Sequence, residues 1–206
     1  MPIIRRNSVP AAPSEPRRPA EILRVGTADE RWNAARALGS SADGVAALQD
    51  ALRTEADPKV REAIFTSLVR IGSPDSVAAV IPCLRVDDAQ LRGGALDALR
   101  AMIGVVRPVL PALLADADAD VRLLTCDLVR ELPTADATRL LCDVLARETE
   151  ANVCIAAVDV LAEIGDAAAL PYLENCAARF HQVPFLGFAV QIAMQQIVAE
   201  RPVLHD

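Results

Sequence analysis

The sequence predicts an all-α solenoid, on three observations. First, an apolar stripe with the offsets 0, 3, 4, 7, 8 and 11 recurs along the chain, starting at Val60, Leu91, Val121 and Val153, so that successive starts lie 31, 30 and 32 residues apart. These offsets trace one face of an α-helix, and a fixed period of this length marks stacked helical pairs. Second, a polar residue stands three positions ahead of each stripe, where a helix start needs a hydrogen-bond acceptor. Third, a second apolar run follows every stripe after a glycine or proline, and no stretch alternates as a strand would.

Each element can be read in order. Thr27, Asp57, Asp88, Asp118 and Glu150 are the predicted starts of five first helices. Side chains of the Asp and Thr type accept from the free N–H groups of a first turn, and Pro58 sits where proline is tolerated. The stripes run Val60, Ala63, Ile64, Ser67, Leu68, Ile71; Leu91, Gly94, Ala95, Ala98, Leu99, Met102; Val121, Leu124, Thr125, Leu128, Val129, Leu132; and Val153, Ala156, Ala157, Val160, Leu161, Ile164. Gly39, Gly72, Gly104, Pro133 and Gly165 are expected to end these helices. The second helices are expected at 45–52, 77–84, 106–114, 140–145 and 170–177. Four units carry arginine just after the stripe begins, at Arg31, Arg61, Arg92 and Arg122, and Cys154 stands there in the fifth. Such arginines are placed to pair with the Asp of their own or the adjacent unit, giving a ladder of charges along the turns.

The ends differ from the middle. Residues 1–20 hold five prolines and a local charge of +3, and are expected to form a disordered arm ahead of a solenoid over 21–206. A short helix near 21–25 would shield the open end of the first unit. Beyond Phe180 the chain becomes apolar almost all round, and a terminal helix is expected over about 184–199. Phe185, Phe188 and Ile192 on it are candidates for hydrophobic docking, including a homodimer.

Composition narrows the function. The chain has 206 residues, 52% of them apolar and 3% aromatic, with a net charge of −7. An acidic body does not offer the basic stripe that neutralises phosphates, so nucleic acid is not an expected partner. No apolar run is long enough to span a bilayer, and the N-terminus lacks a secretory signal layout, so a soluble cytoplasmic protein is expected without membrane insertion. Twenty arginines against the single Lys59 suggest a GC-rich bacterial source. The five cysteines are never spaced CxxC and fall mostly in apolar helical runs, which fits reduced packing residues.

The pattern Asp57-Pro58-Lys59-Val60-Arg61-Glu62-Ala63, followed by Leu68 and Ile71-Gly72, resembles the HEAT repeat, and the period near 30 is most similar to the short HEAT-like repeats of bacterial proteins, phycobilin lyases among them. The first unit, with Glu30 at the valine position, and the fifth, with Cys154, depart from the pattern. The resemblance implies a curved stack with first helices on the convex side and second helices lining a concave one. On that geometry Asp50, Arg85, Arg107, Arg139, Asp143, Tyr172 and Glu174 are the candidate binding residues.

Catalysis finds little support in the residues. A HEAT-type metal hydroxylase needs repeated His-Glu pairs, and this chain has only His181 and His205. A repeat-type DNA glycosylase needs a basic, aromatic cleft. No glycine-rich phosphate loop, nucleophile elbow or supported Cys-His pair is present. No catalytic residue, metal or cofactor is therefore expected. The predicted function is a non-catalytic scaffold, adaptor or regulator that binds another protein. The alternative, by resemblance, is a subunit of a phycobilin lyase-like enzyme acting on a chromophore-bearing protein.

Overall fold

A computed structural model of the chain describes residues 18–199, and among these there is helix and no strand. Helix α1 (Pro19–Val25) is followed by five pairs. The first pair is α2 (Ala28–Leu38) with α3 (Val45–Leu52), and the second is α4 (Pro58–Ile71) with α5 (Pro74–Val80). The third joins α6 (Ala89–Ala101) to the short α7 (Ile103–Val106) and α8 (Leu110–Leu113). The fourth is α9 (Ala119–Val129) with α10 (Thr134–Arg147), the fifth α11 (Ala151–Ile164) with α12 (Leu170–Arg179), and α13 (Pro184–Ala199) closes the stack. The all-α solenoid expected from the sequence is the fold. Of the expected N-terminal arm, residues 1–17 lie outside the described residues.

Local chemistry places the helix starts. Thr27 accepts from the Glu30 N–H while Glu30 accepts from the Thr27 N–H, a reciprocal capping box. Asp57 accepts from the N–H groups of Lys59 and Val60, Asp88 from those of Gln90 and Leu91, and Asp118 from that of Asp120. Glu150 occupies the same position without a side-chain cap. Gly72 ends α4 at φ 59°, a left-handed conformation that glycine adopts without strain.

One predicted turn moves. Gly104 lies inside α7, and the chain turns instead at Met102. The second half of this pair is broken because Pro108 and Pro111 lack the N–H groups a continuous helix requires, so a 3-10 segment at Arg107–Val109 separates α7 from α8. Pro82 has the same effect after α5, which passes into a 3-10 turn over Ile81–Arg85.

The helices form two rows. The first helices α2, α4, α6, α9 and α11 stack side by side and α13 continues that row on α11, while α1, α3, α5 and α7 form the second row and α10 and α12 extend it. Between the rows runs a continuous core in which Leu48, Ile64, Leu68, Leu84, Leu99, Leu128, Leu141 and Leu161 are fully buried. All five cysteines are free and buried, and burial pushes the thiol of Cys126 up to about 12 and those of Cys83 and Cys142 up to about 11. These three pack as apolar groups held as thiols, whereas Cys154 and Cys176 interact with each other, which raises the pKa of Cys154 and lowers that of Cys176.

Close packing leaves one polar atom stranded. Ser67 on α4 presses against Gly39, where an added Cβ would come within 2.6 Å of the serine Cβ. Its Oγ is buried and, among the described residues, has no hydrogen-bond partner. An unpaired buried hydroxyl opposes folding, so Ser67→Ala is expected to leave stability unchanged or raise it by about 1 kcal/mol. A urea midpoint clearly below that of the parent chain would contradict this.

Candidate protein-binding surface

The surface rests on a frame of charges that ties each pair to the next. Arg31 donates through Nε and Nη2 to Glu55 at 2.7 and 2.9 Å, and Arg122 does the same to Glu148 at 2.7 and 2.9 Å. Each of these glutamates stands in the loop before the next first helix and also accepts from two N–H groups of that loop. Arg61 reaches forward to Asp88 at 2.8 Å, and Arg92 lies 3.7 Å from Asp87. The predicted pairing with a helix-start Asp is thus present at Arg61, whereas Arg92 lies near Asp87, one residue before that position, and Arg31 and Arg122 use glutamates from the following loop. The same arginines also bind backward: Arg31, Arg61, Arg92 and Arg122 donate to the carbonyls of Gly26, Glu55, Val86 and Asp116.

The fifth unit keeps the backward contact by a different route. Cys154 replaces the ladder arginine, and Arg179, from the end of α12, donates to the Glu148 carbonyl at 3.0 Å and the Leu145 carbonyl at 2.7 Å. Sequence position offers no sign of this substitution, because the arginine comes from the other helix of the pair.

Glu55 and Glu148 are buried, yet ionised. Burial alone would raise their carboxyl pKa values, but the hydrogen bonds and charges of Arg31 and Arg122, with the loop N–H groups, outweigh it and hold both below the usual glutamate range. A carboxyl with a lowered folded pKa contributes stability that is fully present above its unfolded pKa and is lost as pH falls through the folded value. The urea midpoint is therefore expected to be level near neutrality and to fall below about pH 4. Equal midpoints at neutral pH and well below pH 4 would contradict this.

A second set of ion pairs links the pairs farther along. Arg100 reaches Asp127 at 2.5 Å and Glu131 at 3.4 Å, and Arg130 reaches Asp159 at 3.1 Å and also Glu163. Arg70 donates to the Gly39 carbonyl at 3.0 Å. Exposed pairs of this kind are each worth little, but here they hold neighbouring units in one register.

The seven candidate residues are all exposed and sit on or beside the second helices. They do not converge on one pocket. Arg85 pairs with Asp116 and Arg107 with Asp136, which Arg139 approaches at 3.8 Å, so three of the candidates take part in ties between or within units. Asp50 borders a cavity of about 660 Å³ at the N-terminal end, together with Glu21, Arg24 and Thr54. Asp143 is exposed on α10, and Tyr172, 39% exposed, follows on α12. Glu174 meets Phe188 across a groove between α12 and α13. Phe185, Phe188 and Ile192 all lie on the outer side of α13.

A cavity of about 450 Å³ between α4 and α6 has no counterpart in the sequence reading. Phe65, Val69, Gly94, Ala98 and Ala101 line it, with Glu62 and Asp97 also around it. Gly94 stands at a stripe position filled by Ala63, Leu124 or Ala156 in other units. A Cβ there would lie 2.8 Å from the Phe65 ring, so glycine is what lets that ring settle against α6. Among the described residues no group of three or more His, Cys, Asp or Glu side chains is placed to hold a metal ion, and no helix is long and apolar enough to cross a membrane.

Comparison with known proteins bears on the fold. The family model for HEAT repeats matches residues 20–100 and 106–182. No curated protein matches the sequence. A solved chain from work on microtubule plus-end tracking by XMAP215, CLIP-170 and EB1 superposes with a TM-score of 0.61 at 12% identity, over 88% of this chain and 90% of that one. The structure of Cex1p gives 0.52 at 12% identity, over 91% of this chain and 45% of Cex1p. The CpcE–CpcF complex of phycocyanin lyase from Nostoc gives 0.38 at 19% identity, over 100% of this chain and 95% of that one. The first two likenesses show the fold; the third is too low to bear on activity.

Proposed function

This chain belongs to the HEAT-repeat family, and from that premise we propose that it is a non-catalytic scaffold, an adaptor or regulator that presents the row of second-helix side chains to a protein partner in a bacterial cytoplasm. The observation that carries this reading is the charge frame. Arg31–Glu55, Arg61–Asp88 and Arg122–Glu148 span from one unit to the next at 2.7 to 2.8 Å. Units tied in this way hold their surface in one shape before binding, so little ordering entropy is lost when a partner docks. Solenoids use such extended concave surfaces for recognition.

The chemistry of the row describes the partner. Arg85, Arg107 and Arg139 stand beside acidic groups, and Tyr172 and Glu174 follow at one end. A partner segment of mixed charge with an apolar residue for Tyr172 fits this arrangement. A photo-crosslinking residue placed at Tyr172 is expected to form a protein adduct in the native host. The same residue at Glu62, on the opposite row, is expected to form none. Equal yields from both positions would overturn the assignment. An adduct carrying visible absorbance would favour the lyase-like alternative.

A further inference from the structure

The two ends of the stack are finished differently. At the N-terminal end α1 exposes Glu21, Arg24 and Val25, α2 exposes Asp29, Glu30 and Asn33, and Trp32, 36% exposed, has the Arg36 guanidinium 4.6 Å from its ring centroid. Charged and polar side chains thus predominate on this outer face, with Val25 and Trp32 among them. At the C-terminal end α13 takes the place of a sixth first helix, packed on α11 and α12, with no further helix among the described residues beyond it.

Helix α13 carries two apolar seams. Leu186, Val190, Ala193 and Ile197 face inward and are buried. Phe185, Phe188 and Ile192, spaced i, i+3, i+7, face outward and are 64%, 61% and 37% exposed. The 3-4 spacing is that of a seam which packs on another helix. Gln191, Gln195 and Gln196 are the polar side chains α13 exposes, and its outer apolar side has no cover among the described residues.

We propose that a second copy of this chain covers it, through a twofold tail-to-tail contact of α13 with α13. Three observations select this occupant. From Phe180 to Ala199 the chain holds no Asp, Glu, Lys or Arg, although 24% of its residues are charged and its net charge is −7. That stretch adds no charge to such a contact, which lowers the repulsion between two acidic chains, and Glu174 on α12 is the acidic group beside it. The polar N-terminal end is a poor match for this face, so a head-to-tail stack would bury charges of α1 and α2 against phenylalanine, which costs free energy without partners. The face is also suited to itself. Gly187, whose Cβ would meet nothing within 4 Å, opens a groove lined by Glu174, Ala177, Phe188 and Met194 directly beside the protruding Phe188. A projection and a recess side by side on one helix satisfy an isologous contact, in which each copy offers both. The inference stands on α13 and shares only Glu174 with the second-helix row.

Sedimentation equilibrium of the full chain tests it. The expected mass is twice 21.9 kDa at micromolar concentration, with no larger species as concentration rises. Phe188→Glu is expected to give the single-chain mass with unchanged far-UV circular dichroism, and Phe185→Gln with Ile192→Gln serves as a milder pair if the glutamate unfolds the helix. Trp32→Glu, at the other end, is expected to remain a dimer. A parent chain of single mass, a dimer that survives both sets of α13 variants, loss of the dimer in Trp32→Glu, or open-ended growth would each overturn the proposal.

Discussion

Glu148→Ala is expected to lower the unfolding free energy by about 3–5 kcal/mol, the range found when one partner of a buried ion pair is removed. The carboxylate is 5% exposed and accepts four hydrogen bonds, from Arg122 Nε and Nη2 and from the Thr149 and Glu150 N–H groups. Its loss strands an arginine whose side chain is only 14% exposed, and unties the loop that leads into α11. Arg122 keeps its contacts to the Asp116 and Ala117 carbonyls, which soften the loss without replacing a charge. For a chain of this size the melting temperature should fall by roughly 2–4 °C per kcal/mol. Asp143→Ala, on the exposed face of α10, provides the control and should change stability by less than about 0.5 kcal/mol. Thermal melts of the two variants that coincide would show that the frame does not hold the units together.

Leu128→Ala is the second large effect, about 3–4 kcal/mol by analogy with other fully buried leucines. Leu128 is fully buried in α9, which packs against α6 on one side and α11 on the other. In a stack each unit is supported only by its neighbours, so a cavity at this position weakens the coupling of the first three units to the last two. Denaturation should then broaden or separate into two steps, which a lower midpoint alone would not reveal. A single, equally sharp transition at a lower midpoint would indicate that the solenoid folds as one unit despite its linear contacts.

What could be read from the sequence follows the range of the interactions. Thr27, Asp57, Asp88 and Asp118 cap helices through bonds to N–H groups two or three residues away, and such local chemistry is visible in spacing alone. The stripes were legible for the same reason. Arg31 and Arg122 were recognised as ladder residues, but their partners Glu55 and Glu148 stand 24 and 26 residues on, in loops whose approach depends on how the units stack. Arg179 was beyond reach because it fills the place of a missing arginine from another helix. Gly104 was misread as a turn because glycine is a breaker by habit, while Pro108 and Pro111, a few residues later, decide where this segment bends. The cavity beside Gly94 had one sign, a glycine where other units hold a side chain, and only the position of the Phe65 ring gives it meaning. For the candidate surface the exposed positions could be named, but their ion pairs with Asp116 and Asp136 could not, since each joins residues about thirty positions apart.

The central claim, that the second-helix row is a recognition surface for a protein, is most directly tested by comparing two tagged chains purified from the native host with mass spectrometry of what each retains. One is the parent chain; the other combines Arg139→Glu, Asp143→Lys and Tyr172→Ala, all at exposed positions, and should match the parent in helicity and melting temperature. The account predicts a protein retained at near-stoichiometric amount by the parent and lost from the variant. The same protein retained equally by both would contradict it.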